Sequence, residues 1–455
     1  MQPLPKEFEE QMKRLLGEAG FFAYLDALNQ PYARALRVNL LLRPDGTLPC
    51  PIEGLGAPVP WAKGAYFVEG DARPGLSPLH EGGLFYMQEP SALTAVTALD
   101  PQPGERVLDL CAAPGGKSTQ IAALMAGRGL LCCNEPIPSR AQILSRNIER
   151  MGVRNAVVLS AMPDALAPRF PAFFDRILVD APCSGEGMFR RQPEARDEWD
   201  ADAPRRCADR QMEILAQAAK MLRPGGTMVY STCTFNDTEN EGVLKRFLAL
   251  HPEFSLVPFA LPGLPEAKDG YLHLYPHEMR GEGHFVSRLK KADGADEADA
   301  PVQAAPQRKA PARAAAKGKA PAPIALPDVF SDSDAFAPER LYTAGDALWM
   351  LPEGISIERL SGLRVLRTGL LLAHAEGKRS EPDHALAMAL RPEEAARTTS
   401  LTQTQALAYQ AGETLSLGDL PGGYTLLCCE GVSLGWGKQA GGLMKNHYPK
   451  GLRRR

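Results

Sequence analysis

Residues Val107-Leu-Asp-Leu-Cys-Ala-Ala-Pro-Gly-Gly-Lys117 set a short apolar strand directly before a turn of small side chains and a helical pattern from Lys117 to Met125. A strand that breaks into a glycine turn and re-emerges as a helix opens a doubly wound α/β sheet, with the turn at the carboxyl ends of the strands. The alternation continues: Leu130–Cys133, Ala156–Leu159, Arg176–Val179, Thr227–Ser231 and Phe285–Leu289 read as strands. Between them lies a helix over Arg140–Met151, with Ile143, Leu144, Ile148 and Met151 on one side. Arg206–Leu222 reads as a helix stopped by Pro224-Gly225-Gly226, and Thr238–Leu250 as one opened by a capping box of Thr238 and Glu241. The expected fold class is α/β with a Rossmann-like sheet.

The turn Cys111, Ala112, Ala113, Pro114, Gly115, Gly116 lets a ligand approach the backbone, with Lys117 opening the helix. Glu135, twenty residues past Gly115 at the end of the next strand, is placed to accept hydrogen bonds from ribose hydroxyls, which fits an adenosine-type cofactor. A phosphate-binding P-loop competes, because Gly116-Lys117-Ser118 matches the end of GxxxxGK[ST], but its first glycine would fall at Cys111, where a Cβ obstructs the loop. A plain glycine turn without a ligand is the third reading.

Two short motifs follow predicted strands and should surface at the same rim: Asp180-Ala-Pro-Cys183 and Ser231-Thr-Cys-Thr234. Amino-group methyltransferases commonly carry an aromatic residue where Cys183 stands, to stack on the target base. A cysteine there exchanges stacking for a nucleophile or proton-transfer group, and a pyrimidine carbon 5 needs a nucleophile added to the neighbouring ring carbon before it can take a methyl group. One cysteine after a strand is more often a small core residue; two at one rim, with an aspartate beside the first, point to thiolate chemistry. Cys132-Cys133 and Cys428-Cys429 lie in apolar runs and are assigned to the core, while Cys50 and Cys207 carry no context.

The nine cysteines form no CxxC pair, so neither a disulfide framework nor a zinc ribbon is indicated. His273, His277 and His284 match no standard metal set, and no metal is expected. No apolar run is long enough to span a membrane, and the charged start lacks an export signal, so a cytoplasmic location is expected. At 455 residues the chain should be modular. Residues 292–325, rich in Ala, Pro and charge, cannot bury enough apolar surface to offset ordering and read as a disordered linker. From Gly435 to Arg455 six lysines and arginines, with no carboxylate, interleave with Trp436, His447 and Tyr448, the equipment of an RNA-binding tail.

Leu108-Asp-Leu-Cys-Ala-Ala-Pro-Gly-Gly-Lys-Ser118, Asp180-Ala-Pro-Cys-Ser-Gly-Glu-Gly-Met-Phe189 and Tyr230-Ser-Thr-Cys-Thr234 resemble the Nol/Nop/Sun family of RNA cytosine-5 methyltransferases. Leu36-Arg-Val-Asn39 and Tyr86-Met-Gln-Glu-Pro-Ser91 resemble family segments ahead of the cofactor loop, and the tail from Gly435 to Arg453 resembles the RsmF type, which acts on small-subunit ribosomal RNA. The resemblance implies an S-adenosylmethionine-dependent methyltransferase sheet over residues 73–291. It further implies a small α+β RNA-facing extension over 1–72, a module of unknown role over 326–392 and a PUA-like β domain over 393–455.

For single residues, the resemblance makes Cys233 the sulfur that attacks cytosine carbon 6 and Cys183 the one that resolves the adduct. DNA cytosine-5 enzymes attack with their Pro-Cys cysteine, so the motifs alone leave the two roles exchangeable. Asp180 would hydrogen-bond the target ring or the cofactor, as a carboxylate holding a proton near N3. Cys111 to Lys117 and Glu135 would hold S-adenosyl-L-methionine. Met162 stands about where the family often has an acidic residue, leaving Asp164 to serve adenine from a shifted position. Arg37, Asn39, Arg191, Lys438, Lys445, His447 and Lys450 are the RNA-binding candidates, Arg191 standing where lysine is common. The implied partner is small-subunit ribosomal RNA or the 30S subunit, met by a monomer; transfer RNA as substrate and a non-catalytic ribosome-assembly factor are the alternatives.

Overall fold

The computed structural model describes residues 3–192, 194–294, 324–332, 338–377 and 379–454. Its central sheet contains β1 (Arg106–Asp109), β2 (Leu130–Asn134), β3 (Ala156–Leu159), β4 (Phe174–Asp180), β5 (Leu222–Thr232), β6 (Phe254–Leu256), β7 (Tyr271–Leu274), β8 (His284–Lys291) and β9 (Val365–Arg367). The order is β6-β8-β5-β4-β1-β2-β3-β9, with β7 alongside β8. Strands β1 to β5 pair in parallel, and the order switches between β1 and β4, the point at which open α/β sheets bind ligands. Leu108, Cys132, Val157 and Ile177 enter one apolar layer, and Val107, Leu131, Cys133, Val158 and Leu178 the other. Such period-two burial on both faces belongs to a parallel sheet covered by helices.

The covering helices are α1 (Gly116–Leu124), α2 (Pro138–Arg150), α3 (Ala203–Met221) and α4 (Glu241–Leu250). Two local expectations are corrected. On α2, Leu144 and Ile148 are buried, as is Met151 just past its end, but Ile143 is 49% exposed, because one residue off a 3.6-residue face turns toward solvent. Helix α4 starts at Glu241 rather than Thr238, and the capping box does not form. Asn240 is drawn inward by Thr232 and the Thr234 carbonyl, while Glu241 pairs with His273 at 2.6 Å.

Ahead of the central sheet, strands Ala35–Val38, Leu55–Pro58, Ala65–Val68 and Phe85–Gln88 form an antiparallel sheet, so the boundary expected at residue 72 falls inside this unit. The helix Lys6–Leu28 kinks at Gly17 and packs Phe8 against Phe189 and Trp199, beside the Cys183 loop. Arg37 and Asn39 are not RNA-facing in this fold, being 2% and 1% exposed. Arg37 donates to Gln88, Thr119 and the Gly116 carbonyl, and Asn39 donates to the carbonyls of Gly83 and Met151. Arg37 through Gly116 and Thr119, and Asn39 through Met151, fasten the N-terminal sheet to the central domain.

The linker expected over 292–325 lies outside the described residues apart from its ends. Beyond it, Leu341–Ala344, Ala347–Met350, Leu370–Glu376 and Arg379–Pro382 form a third sheet, and the same segment of chain sends β9 to the edge of the central sheet. Thr398–Ser400, Gly423–Cys429, Val432–Ala440 and Leu443–Asn446 form the fourth. Cys428 and Cys429 are buried in it. Trp436 and Tyr448, 2% and 3% exposed, are core rings and not the free stacking platforms that the tail pattern suggests. Trp436 joins the third and fourth sheets, its indole N–H donating to the Asp383 carbonyl at 2.8 Å, while Tyr448 packs between the fourth and the N-terminal sheet. Among the described residues no helix is long and apolar enough to cross a membrane.

Candidate active site

The turn between β1 and α1 is fastened before any ligand arrives. Asn147 donates to the Pro114 carbonyl at 2.8 Å, Arg140 to that of Ala113 at 3.2 Å, and the Ala112 amide donates to Asn134 O. Gly115 has φ +115°, the left-handed region that glycine enters freely, and a Cβ on Gly116 would meet Tyr86 and Gln88 at 3.3 and 3.4 Å. The turn walls a cleft of about 190 Å³, lined by Cys111 to Pro114, Gly116, Lys117, Asp180 and Arg191 together with Tyr86, Gln88 and Glu89.

On the rim, Lys117 Nζ is 2.8 Å from Asp180 Oδ2. Burial raises the aspartate's pKa, but Lys117 overcomes it and His284 adds to the effect, holding the carboxyl well below its usual range. Lys117 is likewise kept cationic: burial works against its charge and Asp180 outweighs it. The Lys117 ammonium and the Ser231 hydroxyl, both donating to Asp180, favour its ionised form.

Asp180 and Ser231 are register partners on β4 and β5, and Ser231 donates to Asp180 Oδ1 at 2.9 Å. Cys183 and Cys233 stand three and two residues further on, past the carboxyl ends of adjacent parallel strands, with their sulfurs 3.2 Å apart. Both are half-buried. Contact with Cys233, then burial, raise the Cys183 thiol well above its ordinary value. A thiol that retains its proton can donate it to the neighbouring sulfur.

Sequence reasoning missed the carboxylates beneath this pair. Glu186 accepts from the amides of Phe235 and Asn236 at 2.7 and 3.1 Å, and from Gln11 of the N-terminal helix. Glu239 accepts from the Ser184 amide at 3.0 Å and from Gln211 and Asn236 at 2.8 Å each. Each carboxylate bridges the two cysteine loops from a position with no exposure. Glu186 lies within the segment Asp180–Phe189, but nothing in the pattern of that segment marks it as buried.

Four family models match the chain in succession. They are the N-terminal domain of 16S rRNA methyltransferase RsmF at residues 4–90, 16S rRNA methyltransferase RsmB/F at 96–290, the RsmF rRNA methyltransferase first C-terminal domain at 330–390 and the methyltransferase RsmF PUA domain at 396–454. The Ribosomal RNA small subunit methyltransferase F of Erwinia tasmaniensis is 34% identical over 98% of this chain and 96% of its own, and that of Enterobacter sp. is 35% identical over 98% and 95%. The chain belongs to the RsmF-type 16S rRNA methyltransferases. A methyltransferase homolog protein from Pyrococcus horikoshii, 30% identical, superposes with a TM-score of 0.53 over 63% of this chain and 95% of that one. This RsmF-type chain is thus an rRNA methyltransferase on a Rossmann-like sheet, and its fourth sheet is the PUA domain.

Other candidates in the RsmF-type chain are dispersed. Glu135, 2% exposed, is outside the cleft lining; it accepts from the Ile137 amide at 3.0 Å and pairs with Arg140 at 3.3 Å. Asp164 is exposed on the first turn of the short helix Pro163–Leu166, near the exposed Met162, and also stands apart from the cleft lining. In the PUA domain Lys445 and Lys450 are exposed. Lys438 lies over the Tyr424 ring at 4.7 Å and His447 contacts Glu381 at 3.1 Å. Arg191 is exposed at the mouth of the cleft. His284, buried and kept below its ordinary pKa, is 3.5 Å from Asp180, while His273 faces Glu241.

Proposed function

We propose that the protein methylates carbon 5 of a cytosine in small-subunit ribosomal RNA, through a transient bond from Cys233 to carbon 6. The observation that carries this reading is the pair of sulfurs 3.2 Å apart, just past the ends of the adjacent strands whose last residues include Asp180 of the glycine-turn cleft. Carbon 5 of cytosine is a poor nucleophile until a sulfur adds to carbon 6 and pushes electron density into the ring. A rim with one thiol to add and a second, protonated thiol beside it suits addition followed by elimination.

S-adenosyl-L-methionine supplies an electrophilic methyl group when bound. The cleft suits its amino-acid end, while Glu135 and Asp164 stand outside the cleft lining. Lys117 and Asp180 offer opposite charges to an amino-acid moiety, and the small residues 111–116 let the backbone approach. Glu135, whose carboxylate meets the Ile137 amide and Arg140, retains lone pairs for ribose hydroxyls; Asp164 is the proposed adenine-side group. Asp180, ionised, accepts from the exocyclic amine of the base. Cys233 sulfur adds to carbon 6; after carbon 5 has taken the methyl group, a base removes its proton, the C–H electron pair restores the carbon 5–carbon 6 double bond, and the carbon–sulfur pair returns to Cys233. Cys183 resolves the adduct. Arg191, Lys438, Lys445, His447 and Lys450 are the proposed RNA contacts, and the exposed lysines suit phosphates.

The test uses Cys183→Ala and Cys233→Ala proteins with radiolabelled methyl donor. Cys183→Ala should accumulate a denaturant-resistant RNA adduct and Cys233→Ala none; the opposite pattern reverses the roles. Running naked small-subunit RNA, assembled 30S subunits and transfer RNA in parallel identifies the substrate.

A further inference from the structure

Two thiols that touch and are both half-buried do not by themselves determine which one attacks, so the asymmetry must come from their surroundings. On the Cys183 side, the amide of Ser184 donates to Glu239 at 3.0 Å. Gln211 donates to the Pro182 carbonyl at 3.0 Å, and the Glu239 amide to Asn236 Oδ1 at 2.8 Å, which fixes both side-chain amides with their N–H ends toward the Glu239 carboxylate. Every group bonded to that carboxylate is a donor, an arrangement that suits the anion and works against the burial and the neighbouring Glu186, which raise its pKa. On the other side, Lys117 is close enough for Cys233 to act on its charge.

We propose that Glu239 is a positioning residue that polarises the cysteine pair: its buried negative charge beside Cys183, opposed by Lys117 toward Cys233, makes Cys233 the attacking sulfur. Negative charge near Cys183 penalises its thiolate, so Cys183 keeps its proton and remains the donor. The inference rests on the reading that one of these thiols adds to the base. The other titratable groups nearby are Glu186, itself satisfied by amide donors, Tyr230 and Cys207, and, on the Lys117 side, Asp180, which pairs with Lys117 at 2.8 Å. Burial raises Tyr230 far up and Cys207 to about 11, so neither carries charge near neutral pH.

The test is limiting iodoacetamide on the full-length protein near neutral pH, with the labelled Cys183 and Cys233 peptides quantified by mass spectrometry. In the wild type Cys233 should label first. Glu239→Gln removes the charge but keeps the shape, and should raise the Cys183 share about tenfold, the effect of about one pKa unit. Should Glu239→Gln fail to fold, Lys117→Gln should erode the preference for Cys233 from the other side. Cys183 labelling first in the wild type, or an unchanged ratio in a folded variant, overturns the proposal. The ratio needs neither RNA nor methyl donor, so its failure is distinguishable from a failure of the methylation reading.

Discussion

The amide of Gly187 donates to the carbonyl oxygen of Cys233 at 2.8 Å, so the loop after one cysteine carries the backbone of the other. A Cβ at position 187 would lie 2.9 Å from that oxygen, 3.2 Å from the Glu282 carbonyl and 3.3 Å from that of Gly283. Three backbone oxygens cannot step aside as the tip of a flexible side chain can. Gly187→Ala should therefore displace the Cys233 loop, and misplacing a reacting atom by about 1 Å costs on the order of 100-fold in rate. Overpacking of this kind costs about 1–3 kcal/mol of stability. Single-turnover methylation together with thermal unfolding measures both; unchanged rates would mean that the sulfur position is set elsewhere.

Asp109 ends β1 with no exposure, and burial pushes its carboxyl up to about 7, opposed by a 2.6 Å hydrogen bond from Ser118. Because its folded pKa lies above the unfolded value, the folded protein binds the extra proton between about pH 4 and 7. This contribution is fully present below the lower limit and is lost as pH rises through 7, by an amount on the order of a few kcal/mol. Asp109→Asn should flatten the fall in Tm across that window. A parallel decline in wild type and variant would show that Asp109 is ionised throughout.

What was legible in the sequence is what the backbone dictates locally. The glycine turn, the short apolar strands and the placement of Cys183 and Cys233 beyond strand ends all follow from spacing, and the sheet brings them to one rim. What escaped depends on partners distant along the chain. Arg37 reads as a cation for RNA until its Nε and Nη2 donors are seen engaged by Gln88, Gly116 and Thr119. Trp436 lies in a basic tail that suggests stacking, yet its ring fills the junction of two sheets. Glu239 is an ordinary acidic residue by pattern, and its role arises from Ser184, Gln211 and Asn236 converging on it.

Arg37 makes the cofactor turn depend on the N-terminal sheet. Burial pulls its pKa down to about 10, which still leaves it charged at neutral pH, with its guanidinium 5.9 Å from the centre of the Tyr86 ring. Arg37→Ala removes charge-assisted hydrogen bonds worth about 1.5–3 kcal/mol each before the buried cation's own desolvation cost is recovered. The expected result is a lower Tm with weaker S-adenosyl-L-methionine binding by calorimetry, and RNA affinity unchanged for the folded fraction. Loss of RNA affinity with normal cofactor binding would return Arg37 to an RNA-facing role.

In the PUA domain, burial distinguishes packing residues from the proposed RNA contacts. Trp436→Ala deletes a ring that is 2% exposed and an indole N–H bonded to Asp383, a substitution that costs about 3–5 kcal/mol. It should loosen the junction of the third and fourth sheets, visible as faster hydrogen exchange there. Lys445 and Lys450 are exposed, so Lys445→Glu with Lys450→Glu should leave the stability within about 0.5 kcal/mol of the wild type. Each phosphate that no longer meets a lysine should lower the slope of log affinity against log salt by about one. Filter binding of small-subunit RNA over a salt series reads that slope. An unaltered slope in the double variant would move the RNA path away from the edge strand Leu443–Asn446 and the turn that follows it.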